Sequence, residues 1–192
     1  MTSQPISLTT RDATEADVPV LCQLLNDIIA IGGTTAFEVA LTEADFLQSY
    51  LTGSDVISCV VAVPKDVTSD VPSELLSELS SDVPSVPTSA APVGFQSITV
   101  NPRLPEHWGD LATFCQQGLQ GTGVGTVLFQ HTRMTAINHQ LIALNATIRA
   151  DNSGGLAYYT RQGFVDYAVA RGVPLKDGTP VDRLSKRLML PV

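Results

Sequence analysis

Gln120-Gly121-Thr122-Gly123-Val124-Gly125 is the stretch whose reading decides the fold. It falls between Asp110–Gln116, which reads as a strand, and a helical pattern from about Val124 to His139. Glycines let a chain turn tightly and let backbone N–H groups approach an anion with no Cβ in the way. The helix that follows adds unpaired N–H groups and the positive end of its dipole. Together these make a cradle for a pyrophosphate; the alternative is a glycine-rich bend with no ligand. Two other phosphate loops do not fit. The dinucleotide fingerprint needs a third glycine where Thr126 stands, and the Walker pattern needs a lysine that the loop lacks. A dinucleotide fold would also open with its loop, whereas this one comes late in the chain.

Working outward, Ile6–Arg11 alternates as a first strand. Thr14 caps a helix, Asp17 stands where it can answer the cap, and Leu21, Leu24, Leu25, Ile28 and Ile29 recur at helical spacing before Gly32 and Gly33. Residues 34–38 read as a loop, and Thr42 opens a second helix to about Leu51. Val56–Val63 and Val93–Val100 are strands, Asn101–Gly109 a loop with two prolines, and Leu141–Arg149 a strong strand. A helix over Ser153–Gln162 ends at Gly163, and strands Phe164–Ala170 and Val181–Leu190 meet through an Asp177-Gly178 turn. Val127, Leu128, His131, Met134 and Ile137 are expected on one side of the long helix. The fold class is α/β: a mixed, mostly antiparallel central sheet with helices on both faces. The strand-helix-strand units near the end imply parallel pairing.

The 192 residues suit a single domain spanning 1–192, and 44% hydrophobic with 16% charged residues is a globular composition. Residues 65–92, rich in Ser, Pro, Asp and Val, carry prolines at 72, 84, 87 and 92 that forbid a continuous strand. They read as an insertion with one short helix at Ser73–Leu79. A formal charge of -8 lacks the footprint of a nucleic-acid binder and suits no anionic membrane surface. Cys22, Cys59 and Cys115 are an odd set without metal-type spacing, so neither a disulfide framework nor a metal site is expected. Cys22 and Cys59 sit in apolar runs and read as core thiols. The first residues show no basic region followed by an apolar one, and no apolar run approaches the ~18–20 residues that span a bilayer. The expected location is the cytoplasm.

Two motifs together resemble the GNAT (GCN5-related N-acetyltransferase) superfamily. Gln120, Gly123 and Gly125 match its loop, Gln/Arg-x-x-Gly-x-Gly/Ala. Asn152, Tyr159, Gly163 and Phe164 match its second signature, one strand later. The element order resembles the family over nearly the whole chain, nearest its small amino-acid and phosphinothricin-type members. The resemblance implies the acyl-CoA N-acyltransferase fold, with acetyl-CoA as cosubstrate and a small-molecule primary amine, amino-acid-like first, as acceptor. A protein lysine or N-terminus is the alternative acceptor, and a non-catalytic CoA-binding module the alternative function. A homodimer through the last strands is also implied.

The same resemblance distributes roles. The strands Asp110–Gln116 and Leu141–Arg149 would part and admit the pantetheine arm, paired by backbone groups of Thr113, Phe114 and Cys115. Gly121, Thr122, Gly123, Val124, Gly125 and Thr126 would hold the pyrophosphate. Asn152 would bond the arm or cap its helix. Tyr159 would protonate the leaving thiolate, its reference pKa near ~10 keeping the proton on at neutral pH; the alternative is a buried structural tyrosine. Asp110 would serve as base, directly or through water, or be a solvated strand-start residue. A backbone N–H of that strand near Phe114 is the candidate oxyanion donor. Phe37, Glu38 and Trp108 would line the acceptor pocket. Tyr158 reads as packing, His107 as a surface loop residue, and Cys115 as lacking an activating base.

Overall fold

The computed structural model describes residues 7–65 and 91–191. Strand β1 (Leu8–Asp12) leads through a 3-10 turn (Glu15–Asp17) into α1 (Val18–Ile31). Asp17 locks that entry. Its carboxylate accepts from Arg11 Nη1 and Nη2, both at 2.7 Å, and from the Thr14 N–H at 2.8 Å. Gly32, at φ 74°, ends the helix. A loop leads to α2 (Glu43–Leu47), whose cap Thr42 accepts from the Asp45 N–H, and the chain continues in one π-helical turn over Gln48–Thr52. Then come β2 (Val56–Pro64), β3 (Gly94–Thr99), β4 (Trp108–Cys115), α3 (Val124–Asn138), β5 (Ala143–Arg149), α4 (Ser153–Arg161), β6 (Val165–Pro174) and β7 (Pro180–Met189).

The seven strands form one sheet in the order β1-β2-β3-β4-β5-β7-β6, with β4–β5 parallel and the other pairs antiparallel. The first face carries Leu21, Leu25 and Ile28 of α1, with Phe46, Tyr50, Phe95 and Phe114 in aromatic contact. The opposite face packs Leu111, Leu144, Ala146 and Ile148 against Phe129 of α3 and Tyr159 of α4. This is the mixed, mostly antiparallel sheet expected, with helices on both faces. Residues 65–92 join the neighbouring antiparallel strands β2 and β3. Most of that stretch, including the helix expected at Ser73–Leu79, lies outside the described residues.

Three expectations are corrected. Trp108 and Gly109 belong to β4, not to a loop: His107, at φ 61°, turns the chain straight into the strand after the Pro105 turn. Only the unit β4-α3-β5 pairs parallel. Between β5 and β6 the chain inserts β7, antiparallel to both, because β6 and β7 stay together as a hairpin closed at Leu175–Thr179. The buried face of α3 is Val124, Leu128, Phe129, Thr132 and Ala136, while Met134 is exposed. The helix lies over the middle of the sheet, against β2 and β3, which rotates its inner stripe away from His131 and Met134.

Candidate active site

β4 and β5 pair at Trp108–Ala143, Gly109–Leu144 and Asp110–Asn145, and there the ladder stops, although β4 continues to Cys115 and β5 to Arg149. Gly109 permits the tight end of this seam. A Cβ there would stand 2.5 Å from Ile98 Cγ2 and 2.8 Å from Leu141 Cδ1. Beyond Asp110 the β5-facing edge of β4 has no strand neighbour among the described residues, so the backbone groups of Leu111, Thr113 and Cys115 are open to a ligand, and buried backbone groups require partners. Ala112 and Phe114 point to β3 instead, which corrects the expectation that the Phe114 backbone pairs with the arm.

The open end of the seam faces the glycine loop. Gly121 and Gly123 have φ 81° and 100°, where a side chain would be strained. Thr122 and Thr126 spend their N–H groups on Leu119 and Gly123 carbonyls. The N–H groups of Gly121, Gly123, Val124 and Gly125 have no acceptor among the described residues, and they sit at the start of α3. Gln120 braces the turn, accepting from the Gly118 N–H and donating to Gln117. Four unsatisfied donors at a helix start fit a diphosphate. Gly125 has a second duty: an added Cβ would meet the Tyr158 ring at 2.7 Å.

Side chains on β4 alternate between the two faces. On the α4 side, Tyr159 is buried, with its hydroxyl 2.9 Å from Thr113 Oγ1 and 3.5 Å from the Leu111 carbonyl. Burial pushes its phenol well above the ordinary tyrosine range, while the Thr113 bond pulls it back. Tyr158 turns the same way: its hydroxyl donates to the Gly125 carbonyl at 2.8 Å and accepts from Gln96 Nε2 at 3.2 Å. It therefore joins α4 to the glycine loop, which corrects the reading of it as packing that points elsewhere. Burial pushes the Cys115 thiol up to about 11, so it stays protonated.

On the α1 side, Asp110 accepts from Asn101 Nδ2 at 2.8 Å and Asn145 Nδ2 at 2.7 Å. Asn145 in turn accepts from the Tyr167 hydroxyl at 2.7 Å, and the Tyr167 ring meets Trp108 edge-on at 5.7 Å. Trp108 thus stands at the closed end of the seam. Phe37 and Glu38 lie on the loop after α1; Phe37 is exposed, and Glu38 accepts from the Lys176 N–H at 2.9 Å. That loop is tied to the end of β5 and the start of α4. Asn152 Nδ2 donates to the Thr34 carbonyl at 2.7 Å while its Oδ1 caps α4 at the Gly155 N–H, and buried Arg149 donates to the Thr35 carbonyl. Asn101, Asn145, Tyr167 and Gln96 were missed from the sequence. Asn145 and Gln96 did carry a signal, an amide side chain next to large apolar residues in a strand, where burial requires partners. Among the described residues no helix is long and apolar enough to cross a membrane, and no group of three or more His, Cys, Asp or Glu is placed to hold a metal ion.

No family model and no curated protein matches the chain. Solved structures do. The GNAT-superfamily phosphinothricin acetyltransferase from Sinorhizobium meliloti, in complex with acetyl-CoA, is 16% identical; 96% of this chain and 89% of that one are covered, at a TM-score of 0.73. The GCN5-related N-acetyltransferase from Kribbella flavida is 19% identical, covering 96% and 98%, at 0.72. The ribosomal-protein-alanine N-acetyltransferase from Brucella melitensis is 21% identical, covering 95% and 99%, at 0.71. With β4 and β5 parted beside a glycine-rich helix start, this chain has the fold of the GNAT acyl-CoA N-acyltransferases.

Proposed function

We propose that the protein is an acetyl-CoA-dependent N-acetyltransferase that acts on a primary amine of a small molecule, amino-acid-like acceptors first. The observation that carries this reading is the half-open β4–β5 seam leading to four N–H groups, in the glycine loop and the first turn of α3, that have no acceptor among the described residues. An extended arm can add to the bare edge of β4 as a strand would, with its diphosphate on Gly121, Gly123, Val124 and Gly125. The structural neighbour from Sinorhizobium meliloti holds acetyl-CoA, which supports the same occupant here.

Acetyl transfer joins an amine nitrogen to the thioester carbon and expels a thiolate. Asp110 and Tyr159 flank the seam from opposite faces, so a proton acceptor and a proton donor stand on either side of the scissile bond. Asp110 has two of its acceptor sites filled by Asn101 and Asn145, and the remainder can take the proton of an incoming ammonium through a water. The donor to the oxyanion is a β4 backbone N–H beside Phe114 on the parted edge, that of Thr113 or Cys115; the Phe114 N–H itself faces β3, in register with Phe95. Tyr159, protonated because it is buried, supplies the proton to sulfur. Phe37, Glu38 and the residues of the loop after α1 receive the acceptor. Arg183 of β7 lies opposite Arg149, its Nη1 buried without a partner among the described residues. It is one cation that can serve an acceptor carboxylate; Arg187, opposite Asn145 and over the Tyr167 ring, is another.

A thiol-release assay with acetyl-CoA tests this. The panel should hold free amino acids, their amides and alanine-led peptides, the last because the Brucella melitensis neighbour is named for a protein alanine. Turnover with free amino acids, lost on amidation of their carboxylate, is the expected result. Absence of both acetyl-CoA binding by calorimetry and thiol release with any amine would end the proposal.

A further inference from the structure

We propose that Gln96 and Thr113 are positioning residues that turn the Tyr159 hydroxyl so that its oxygen accepts and its proton points into the parted seam. This rests on the acetyltransferase reading above and adds the residues that set that hydroxyl's direction.

Gln96 lies in the middle of β3 and is fully buried. A buried carboxamide is costly unless its polar atoms are matched. Its Nε2 donates to Thr113 Oγ1 at 2.7 Å and to the Tyr158 hydroxyl at 3.2 Å, while its Oε1 has no partner among the described residues. The hydrogen bonds of this side chain are thus all made by its nitrogen. An amide nitrogen can only donate, so both hydroxyls must accept from it. Each then has one proton left to place. Tyr158 commits its proton to the Gly125 carbonyl at 2.8 Å. Thr113 has the Tyr159 oxygen 2.9 Å away and donates to it. The opposite amide orientation would set Oε1 against the Tyr158 oxygen, whose proton is already spent on Gly125.

The run therefore has one polarity: Gln96 to Thr113 to Tyr159. At its end the Tyr159 proton has, among the described residues, only the Leu111 carbonyl at 3.5 Å, too long for a strong bond. It is the least firmly held proton of the set, and Leu111 is the first β4 residue beyond the paired part of the seam. When the tetrahedral adduct collapses, the C–S bond breaks and its electron pair goes to sulfur. The Tyr159 proton passes to that sulfur and gives the free thiol, while the Thr113 hydroxyl stabilises the phenolate left behind. Water restores the phenol as product leaves. Burial weakens this phenol as an acid, and a donor on its oxygen acts in the opposite direction.

The test uses the full chain with Gln96→Met, Thr113→Val and Thr113→Ser, acetyl-CoA, and the best amine of the thiol-release panel. Expected are a kcat loss of about 10-fold for Gln96→Met and about 30-fold for Thr113→Val, with Thr113→Ser within about 3-fold of the parent. Acetyl-CoA affinity by calorimetry should stay within about 3-fold in all three. The losses should shrink when the acyl donor is the acetyl ester of an acidic aryl thiol, whose thiolate leaves without a proton. Independently of turnover, the fluorine resonance of fluorotyrosine at position 159, assigned with Tyr159→Phe, should move in Gln96→Met although the Gln96 hydrogen bonds go to Thr113 and Tyr158 and not to Tyr159. Equal losses with both thioesters, an unmoved resonance, or a Thr113→Ser loss matching Thr113→Val overturns the inference. If the parent turns over and the variants are undiminished, this inference alone fails; if the parent releases no thiol with any amine, the acetyltransferase reading fails with it.

Discussion

The two halves of the β4–β5 seam differ in what satisfies them. The closed half is held by backbone ladder bonds, by Gly109 under Ile98 and Leu141, and by the Asp110–Asn145 side-chain bond across the paired residues. In the open half a side chain takes the place of a strand: Tyr159 reaches Thr113 and the Leu111 carbonyl from α4. A parallel pair can thus be opened at one end without unravelling, because the other end is over-determined and the opened edge has side-chain hydroxyls beside it. The chemistry proposed here occupies the boundary, Asp110 on the closed side and Tyr159 on the open side.

The comparison can be broken first at its open half. Tyr159→Phe keeps the ring packed against Phe164 and removes only the hydroxyl, so kcat for thiol release should fall about 100-fold while acetyl-CoA binding stays within about 3-fold. Retained kcat would remove Tyr159 from the mechanism. At the closed half, Gly109→Val forces a side chain into space already filled by Ile98 and Leu141, and urea unfolding should show a loss of about 2 kcal/mol. An unchanged midpoint would mean that this end is looser than described.

Asn145→Ala sharpens the contrast. It takes one donor from Asp110 and the acceptor from Tyr167, so kcat/KM should fall about 10-fold. Paired with Asp110→Asn the losses should not add, since both act through one hydrogen-bonded unit. Additive losses would separate the two residues.

Away from the seam, Asp17→Asn serves as a stability control of about 1 kcal/mol at neutral pH. The Arg11 guanidinium and the Thr14 groups hold the Asp17 carboxyl below its ordinary range. Its contribution is therefore complete above the ordinary carboxylate range and disappears as pH falls through the depressed folded value. Parent and variant stabilities should converge on acidification, and a gap that widens toward low pH would contradict this assignment.

Much of the fold was legible because it is written locally. The caps at Thr14 and Thr42, the stop at Gly32, and the glycine loop between a strand and a helix each depend on a few adjacent residues. The α3 stripe and the place of β7 were not, because both depend on where distant elements pack. Met134 continues a helical repeat, yet α3 is turned by its seat on β2 and β3.

The amino-acid order alone determined the run of strands and helices, the position of the glycine-rich turn, and the tyrosine-bearing helix after β5, since backbone preferences and apolar spacing act over a few residues. Tertiary structure alone decided that β4 and β5 part after Asp110, that Asn145 stands opposite Asp110, and that Gln96, Thr113, Tyr158 and Tyr159 meet in one run of hydrogen bonds. These contacts join residues 17 to 62 positions apart, and which polar group meets which is set by strand register and helix docking, not by neighbours along the chain.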